Sequence, residues 1–109
     1  MATFKNARAV LGDTPSTVYE TPPGTTAIVL HCQVANRDEF AREVSLFWTD
    51  VSDGDVETYL LDTVSVPDDA SLEGIVGKLV LEAGDRLRAV QDANAGEVEV
   101  SVSVLELGA

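Results

Sequence analysis

The chain has 109 residues, 45% of them apolar, with seven basic residues against 19 acidic ones and a formal net charge of −12. That length and apolar fraction suit one globular domain over residues 1–109 and exclude a disordered chain. The acidity excludes phosphate-tracking contacts with nucleic acid and adhesion to anionic membranes, both of which need clustered Lys and Arg.

Residues 1–12 read as an extended arm or a first strand, with Lys5–Leu11 the regular part. This head carries Lys5 and Arg8 and no acid. It has no apolar run of signal-peptide length, and no stretch of the chain approaches the roughly 20 apolar residues of a membrane span. Asp13-Thr-Pro-Ser16 is a turn, because Pro15 presets its φ. Ser16–Thr21 is a short strand ended by Pro22-Pro23-Gly24, which removes two backbone donors and supplies a residue tolerant of positive φ.

Thr25–Ala35 alternates as a strand. Strict alternation places Ile28, Leu30, Cys32 and Val34 on one face and Ala27, Val29, His31 and Gln33 on the other. Asn36–Phe40 is a polar loop. Glu43–Asp50 sets Val44, Leu46 and Trp48 against Ser45, Phe47 and Thr49. Ser52-Asp-Gly-Asp55 signals a hairpin turn. Val56–Val66 is a strand bent near Asp62.

Pro67–Ile75 is a weak helical candidate that reads better as a loop or a single turn. Lys78–Glu82 and Arg86–Gln91 are strands joined by Ala83-Gly84-Asp85. Asn94-Ala95-Gly96 signals another hairpin, and Glu97–Leu107 is the last strand. In it Val98, Val100, Val102 and Val104 share a face opposite Glu97, Glu99, Ser101 and Ser103. The pattern then breaks, with Leu105 and Leu107 on the polar face and Glu106 in line with the valines. Such a break means a bulge, or a strand end covered on its second face by the N-terminal segment or by another subunit.

About eight short strands with regularly spaced turn signals predict an all-β fold, a single antiparallel β-sandwich, Ig-like or jelly-roll-like, with a short N-terminal arm. Short connections suggest that sequence neighbours pair as hairpins.

Catalytic chemistry has little support. His31 and Cys32 are the sole histidine and cysteine, and adjacent strand residues point to opposite faces, so they cannot act as a nucleophile–base pair. One cysteine precludes an internal disulfide, and folding in a reducing cytoplasm is expected. Two potential zinc ligands fall short of a structural site. Asp50, Asp53 and Asp55 around Gly54 suggest calcium weakly, but an Asp-Gly turn explains the same residues. No phosphate loop or nucleophile-elbow motif occurs. The expectation is no enzyme, no cofactor and no metal.

Several segments, in matching order, resemble small tailed-phage virion proteins. TVYETPPGTTAIVLHCQVAN resembles their "TVYTVPAGTTAIV…VAN" opening, with Glu20 and Pro22 departing from it. VPDDASLEG resembles "VPADASL", GKLVLEAGDRLRA resembles "KLVLEAGDxLxA", and VSVSVLEL resembles their C-terminal strand. The resemblance implies a small all-β virion structural component without enzymatic activity, of head-decoration (cement) or tail-associated type. The resemblance does not choose between head and tail; a compact sandwich with a basic head and an acidic middle suits decoration of the outside of the head, with the major capsid protein as partner, and the local three-fold points of a capsid lattice favour self-association as a homotrimer. Neither nucleic acid nor membrane is an expected partner.

Charge distribution refines this expectation. From Glu43 to Gly77 there are nine acidic residues and no basic one. The acidic middle would face solvent, and the basic head would dock. The candidate partner-binding residues are Phe4, Lys5, Arg8, Leu105 and Leu107. The rivals are a tail-fibre or tail-tip component, and a carbohydrate- or calcium-binding β-sandwich module.

Overall fold

The computed structural model describes residues 2–93 and 97–108. They form nine strands: β1 (Ala2–Val10), β2 (Ser16–Glu20), β3 (Thr25–Asn36), β4 (Arg42–Asp50), β5 (Val56–Val66), β6 (Ala70–Glu73), β7 (Leu79–Leu81), β8 (Arg86–Gln91) and β9 (Val98–Gly108). One sheet runs β1-β9-β3-β6, with β7 also pairing β3, and the other runs β2-β8-β4-β5. All pairings are antiparallel. The chain crosses between sheets at almost every connection, which is the two-Greek-key order of a jelly roll. An Ig-like domain would group its strands differently, so the structure decides between the two sandwich types.

Expected hairpins between sequence neighbours are therefore corrected. Of the neighbouring strands, β4 and β5 alone pair with each other. Their turn is a short 3-10 segment, Val51–Asp53, followed by Gly54 at φ 66°. Strands β7 and β8 are joined by the turn at Ala83-Gly84-Asp85 but lie in opposite sheets. The Asn94-Ala95-Gly96 hairpin signal lies outside the described residues, and the flanking β8 and β9 also belong to different sheets. Residues 2–10 are a strand paired along its whole length with β9, not a free arm. The segment read as a loop or one helical turn contains β6, because Leu72 and Ser71 fall in register against Val34 and Ala35.

Two rows of β-branched and small side chains fill the space between the sheets. Val98, Val100, Val102 and Val104 of β9 and Ala27, Val29, Cys32 and Val34 of β3 face Val44 and Leu46 of β4 and Leu87 and Ala89 of β8. Alternation accounts for β9 and for the inward Val44, Leu46 and Trp48 of β4. It fails in β3, where the register against β9 shifts between Val29 and His31. Leu30 is the extra residue of this bulge. Parity inverts there, so Ala27 and Val29, not Ile28 and Leu30, share the core face with Cys32 and Val34. Strand β5 bends by the same device, with Thr63 at φ 55° and the register against β4 shifting between Val44 and Leu46.

The end of the sandwich nearest the β1 start is tied by one carboxylate. Asp85 is buried, and its oxygens accept from the amides of Val51 (3.1 Å) and Glu82 (2.9 Å). Its own carbonyl accepts from the Thr21 amide at 3.0 Å. Three loops that the chain order keeps apart are thus fixed together, and they frame the surface described next.

Candidate interaction surface

Directly opposed residues of an antiparallel pair lie on the same face of a sheet. The strand registers therefore map the outer face of the β1 sheet row by row. One row crosses four strands: Phe4 (β1), Leu105 (β9), Ile28 (β3) and Val80 (β7). The next row towards the strand ends is Ala2, Leu107 and Thr26. Leu30, displaced by the bulge, is exposed nearby. Phe4 leaves 75%, Val80 55% and Leu107 40% of its surface open. These rows contain no charged residue. Apolar side chains at neighbouring positions on an outer face, rather than scattered singly, make this face a candidate interaction site.

Of the five residues expected to bind a partner, Phe4, Leu105 and Leu107 come together here. Lys5 does not. It sits opposite Val104 and points to the inner side, where its Nζ is 3.3 Å from Glu106 Oε1. Arg8 shares the outer face but lies two rows away, opposite Ser101. There it borders a shallow trough of about 650 Å³ lined also by Asn6, His31, Ser101 and Ser103. The small serines of β9 form its floor, and longer side chains of β1 and β3 form its walls. His31 points outward and Cys32 inward, as alternation requires.

Ile28, Leu30 and Val80 belong to the surface and escape sequence reasoning. Ile28 and Leu30 look like core residues until the bulge is known. Val80 is one residue of a three-leucine-like run, and nothing local says which neighbour faces out.

The break in the β9 pattern also has a physical account. Register with β1 is continuous from Val10–Glu99 to Ala2–Leu107, so β9 carries no bulge. Glu106 instead stays on the inner face and is buried at the end of the core. Tyr19 donates its hydroxyl hydrogen to Glu106 Oε2 at 2.6 Å, and Lys5 completes the site. Those two partners hold the Glu106 carboxyl below the usual carboxylate range, the Tyr19 bond first among them. Burial, followed by the same bond, raises the Tyr19 phenol. Leu105 and Leu107 are consequently left on the outside, flanked by β1 but not covered by it.

Other candidate chemistry dissolves into turn and core roles. Asp50 accepts from the Ser52 amide (3.1 Å) and hydroxyl (2.6 Å), and Asp55 pairs with Arg86 at 3.3 Å. Among the described residues, no three His, Cys, Asp or Glu side chains converge as a metal site would require. Burial pushes the Cys32 thiol up to about 12, far from the range of a reactive thiolate. Trp48 packs against the core, while Phe47, on the outer face of the β4 sheet, is buried beside Tyr59 with ring centroids 5.0 Å apart. Among the described residues, no helix is long and apolar enough to cross a membrane.

No protein-family model matches the sequence, and no curated protein does. Solved structures do match the fold. A chain of the Bacillus endospore appendages, described as disulfide-linked pili, superposes with a TM-score of 0.60 at 9% identity, covering 99% of this chain and 87% of that one. A chain of the capsid of Helicobacter pylori bacteriophage KHP30 gives 0.57 at 14% identity, covering 96% and 86%. One from the capsid asymmetric unit of cyanophage Pam1 gives 0.50 at 17%, covering 99% and 85%. Two phage capsids and a pilus thus use chains of this fold over nearly their whole length.

Proposed function

We propose that this chain is a structural subunit of a tailed-phage virion that decorates the outside of the head shell. The observation that carries the reading is the uncharged apolar row Phe4–Leu105–Ile28–Val80, open on one face of a small jelly roll that is otherwise strongly acidic. A decoration subunit must fold alone, stay soluble, and then adhere through one face to a preformed shell of the major capsid protein. Net charge of this size opposes non-specific aggregation, and the row supplies the adhesion. A Phe side chain presents about 200 Å² of surface. Three quarters of it lies open here, roughly 150 Å², which at ~25 cal/mol/Å² amounts to ~3–4 kcal/mol before ordering costs are subtracted. The likeness of fold to phage capsid chains and the resemblance of the TVYETPPGTTAIV, VPDDASL and KLVLEAGD segments support the same reading.

A disulfide-linked filament, the assembly named for the Bacillus neighbour, fits less well. This chain has a single cysteine, and it is fully buried. The docking face is tested with heads that lack the protein. Wild type should bind them to saturation, and the double variant Phe4→Asp/Val80→Asp should not. Equal binding by both would overturn this assignment.

A further inference from the structure

Each sheet of the sandwich has two edges, and three of the four are guarded against pairing with another strand. Strands β6 and β7 share one edge and are short, four and three residues. Strand β2 has five residues and a register shift between Thr17 and Tyr19. Strand β5 is long but bent, with Thr63 at positive φ, and carries Glu57 and Asp62. The fourth edge, β1, differs in every respect. It has nine residues in unbroken register with β9, and it contains no acid, no proline and no glycine. Lysine often blunts such an edge; the Lys5 side chain is half exposed, but its charge is paired with Glu106.

We propose that β1 is a dimerisation strand, pairing antiparallel with β1 of a second copy of this chain in a register centred on Asn6. The pattern of β1 selects both partner and register. A two-fold axis normal to the sheet keeps the outer faces of both copies on one side, so outward residues must oppose outward residues. Centring the pair on Asn6 meets this condition and overlaps the whole strand. Phe4 of each copy then lies opposite Arg8 of the other, an aromatic beside a guanidinium that has no ion-pair partner among the described residues, a favourable cation–π arrangement. Lys5 falls opposite Ala7. The neighbouring allowed registers are worse. Centring on Lys5 sets the two lysines against each other, which is destabilising, and centring on Ala7 leaves Ala2 and Thr3 unpaired. In an acidic chain, β1 is also the one long edge whose approach to its own copy brings no carboxylate against another. The contact is two-fold, in place of the three-fold association expected from lattice symmetry alone.

The test uses the full-length protein in solution and is independent of where in a virion it sits. Wild type should sediment as a concentration-dependent monomer–dimer mixture. Directly opposed residues have Cβ atoms about 4.5–5.5 Å apart, near disulfide range, so Asn6→Cys should form a covalent dimer on mild oxidation. Buried Cys32 does not compete. Phe4→Cys and Arg8→Cys should each cross-link poorly alone and efficiently when mixed. Asn6→Asp, with its fold checked by circular dichroism, should weaken dimerisation roughly two- to fivefold through like charges at the axis. Purely monomeric wild type, or cross-linking at Asn6→Cys no better than at Phe4→Cys alone, would overturn the proposal.

Discussion

Gly74 is the position where one added methyl group should reveal how tightly the two sheets are closed. It lies between β6 and β7, and its amide donates to the Cys32 carbonyl at 2.9 Å. A Cβ built there would stand 2.8 Å from Leu46 Cδ2 and 2.9 Å from Cys32 Sγ. Ordinary contact begins near 3.4 Å, so both neighbours must retreat, and both are fully buried. Overpacking of this kind costs about 1–3 kcal/mol. Stiffening of the unfolded chain by Gly→Ala returns about 0.4–1 kcal/mol. A net loss of roughly 1–2 kcal/mol is expected for Gly74→Ala, which for a domain of this size lowers Tm by about 5–15 °C. Calorimetry measures it directly. The mechanism is checked by the double variant with Cys32→Ala, which removes one of the two obstructing atoms and should couple favourably by about 1 kcal/mol. An unchanged or raised Tm for Gly74→Ala, or strictly additive losses in the double variant, would refute the packing argument. So would loss of β7 pairing without loss of stability, since Val80 depends on that strand.

Three further predictions concern titration and the exposed row. The Cys32 thiol rises from an ordinary 9.0 to about 12 in the fold. The unfolded chain therefore loses this proton first as pH climbs, and stability falls by about 1.4 kcal/mol per pH unit between those values; Cys32→Ala should flatten that alkaline slope, as read by urea titration. Glu106 has the opposite sign. Its folded value lies below the ordinary 4.5, so its contribution is complete above 4.5 and is lost as pH falls through the lowered value; Glu106→Gln should lack this acid-dependent part, and an unchanged acid profile would contradict the Tyr19–Glu106–Lys5 arrangement. Phe4→Asp should leave stability within about 0.5 kcal/mol of wild type, as surface substitutions do, while removing shell binding, so a large fall in Tm would show Phe4 to be structural instead.

How much was legible in the sequence varies by strand and follows from what kind of interaction sets each feature. The valine ladder of β9 and the Val44-Leu46-Trp48 face of β4 are written in plain alternation, because a half-buried strand needs it. The divergence of His31 and Cys32 follows from the same rule. The rule fails at Leu30, where one bulge residue inverts the faces of β3, so Ile28, which strict alternation places on the Cys32 face, belongs to the outer row. A bulge is set by register against β9, and nothing within residues 25–36 announces it. Strand β6 went unread for a related reason, since its four residues become a strand only by lying against β3. Pairing was the larger gap. Short connections suggested hairpins, yet the connections at Ala83–Asp85 and Pro22–Gly24 carry the chain across the sandwich, and tertiary ties such as those of Asp85 decide that. In the candidate surface, Leu105 and Leu107 are recognisable by breaking the expected polarity of the last strand, and Phe4 only as part of the basic head. Lys5 stands apart from them because of Glu106, which holds its ammonium group at the inner face and looks, in sequence, like part of the same irregularity.

The central proposal, a structural subunit present throughout the head surface, is tested most directly by counting copies of this chain in purified virions of a phage whose genome carries its gene. Quantitative mass spectrometry against the major capsid protein gives the ratio. A decorator of a closed shell should appear in hundreds of copies, as repeated lattice sites require, and a cryo-EM map should place the Phe4–Leu105–Ile28–Val80 face against the shell. A handful of copies, or absence from the particle, would contradict the account.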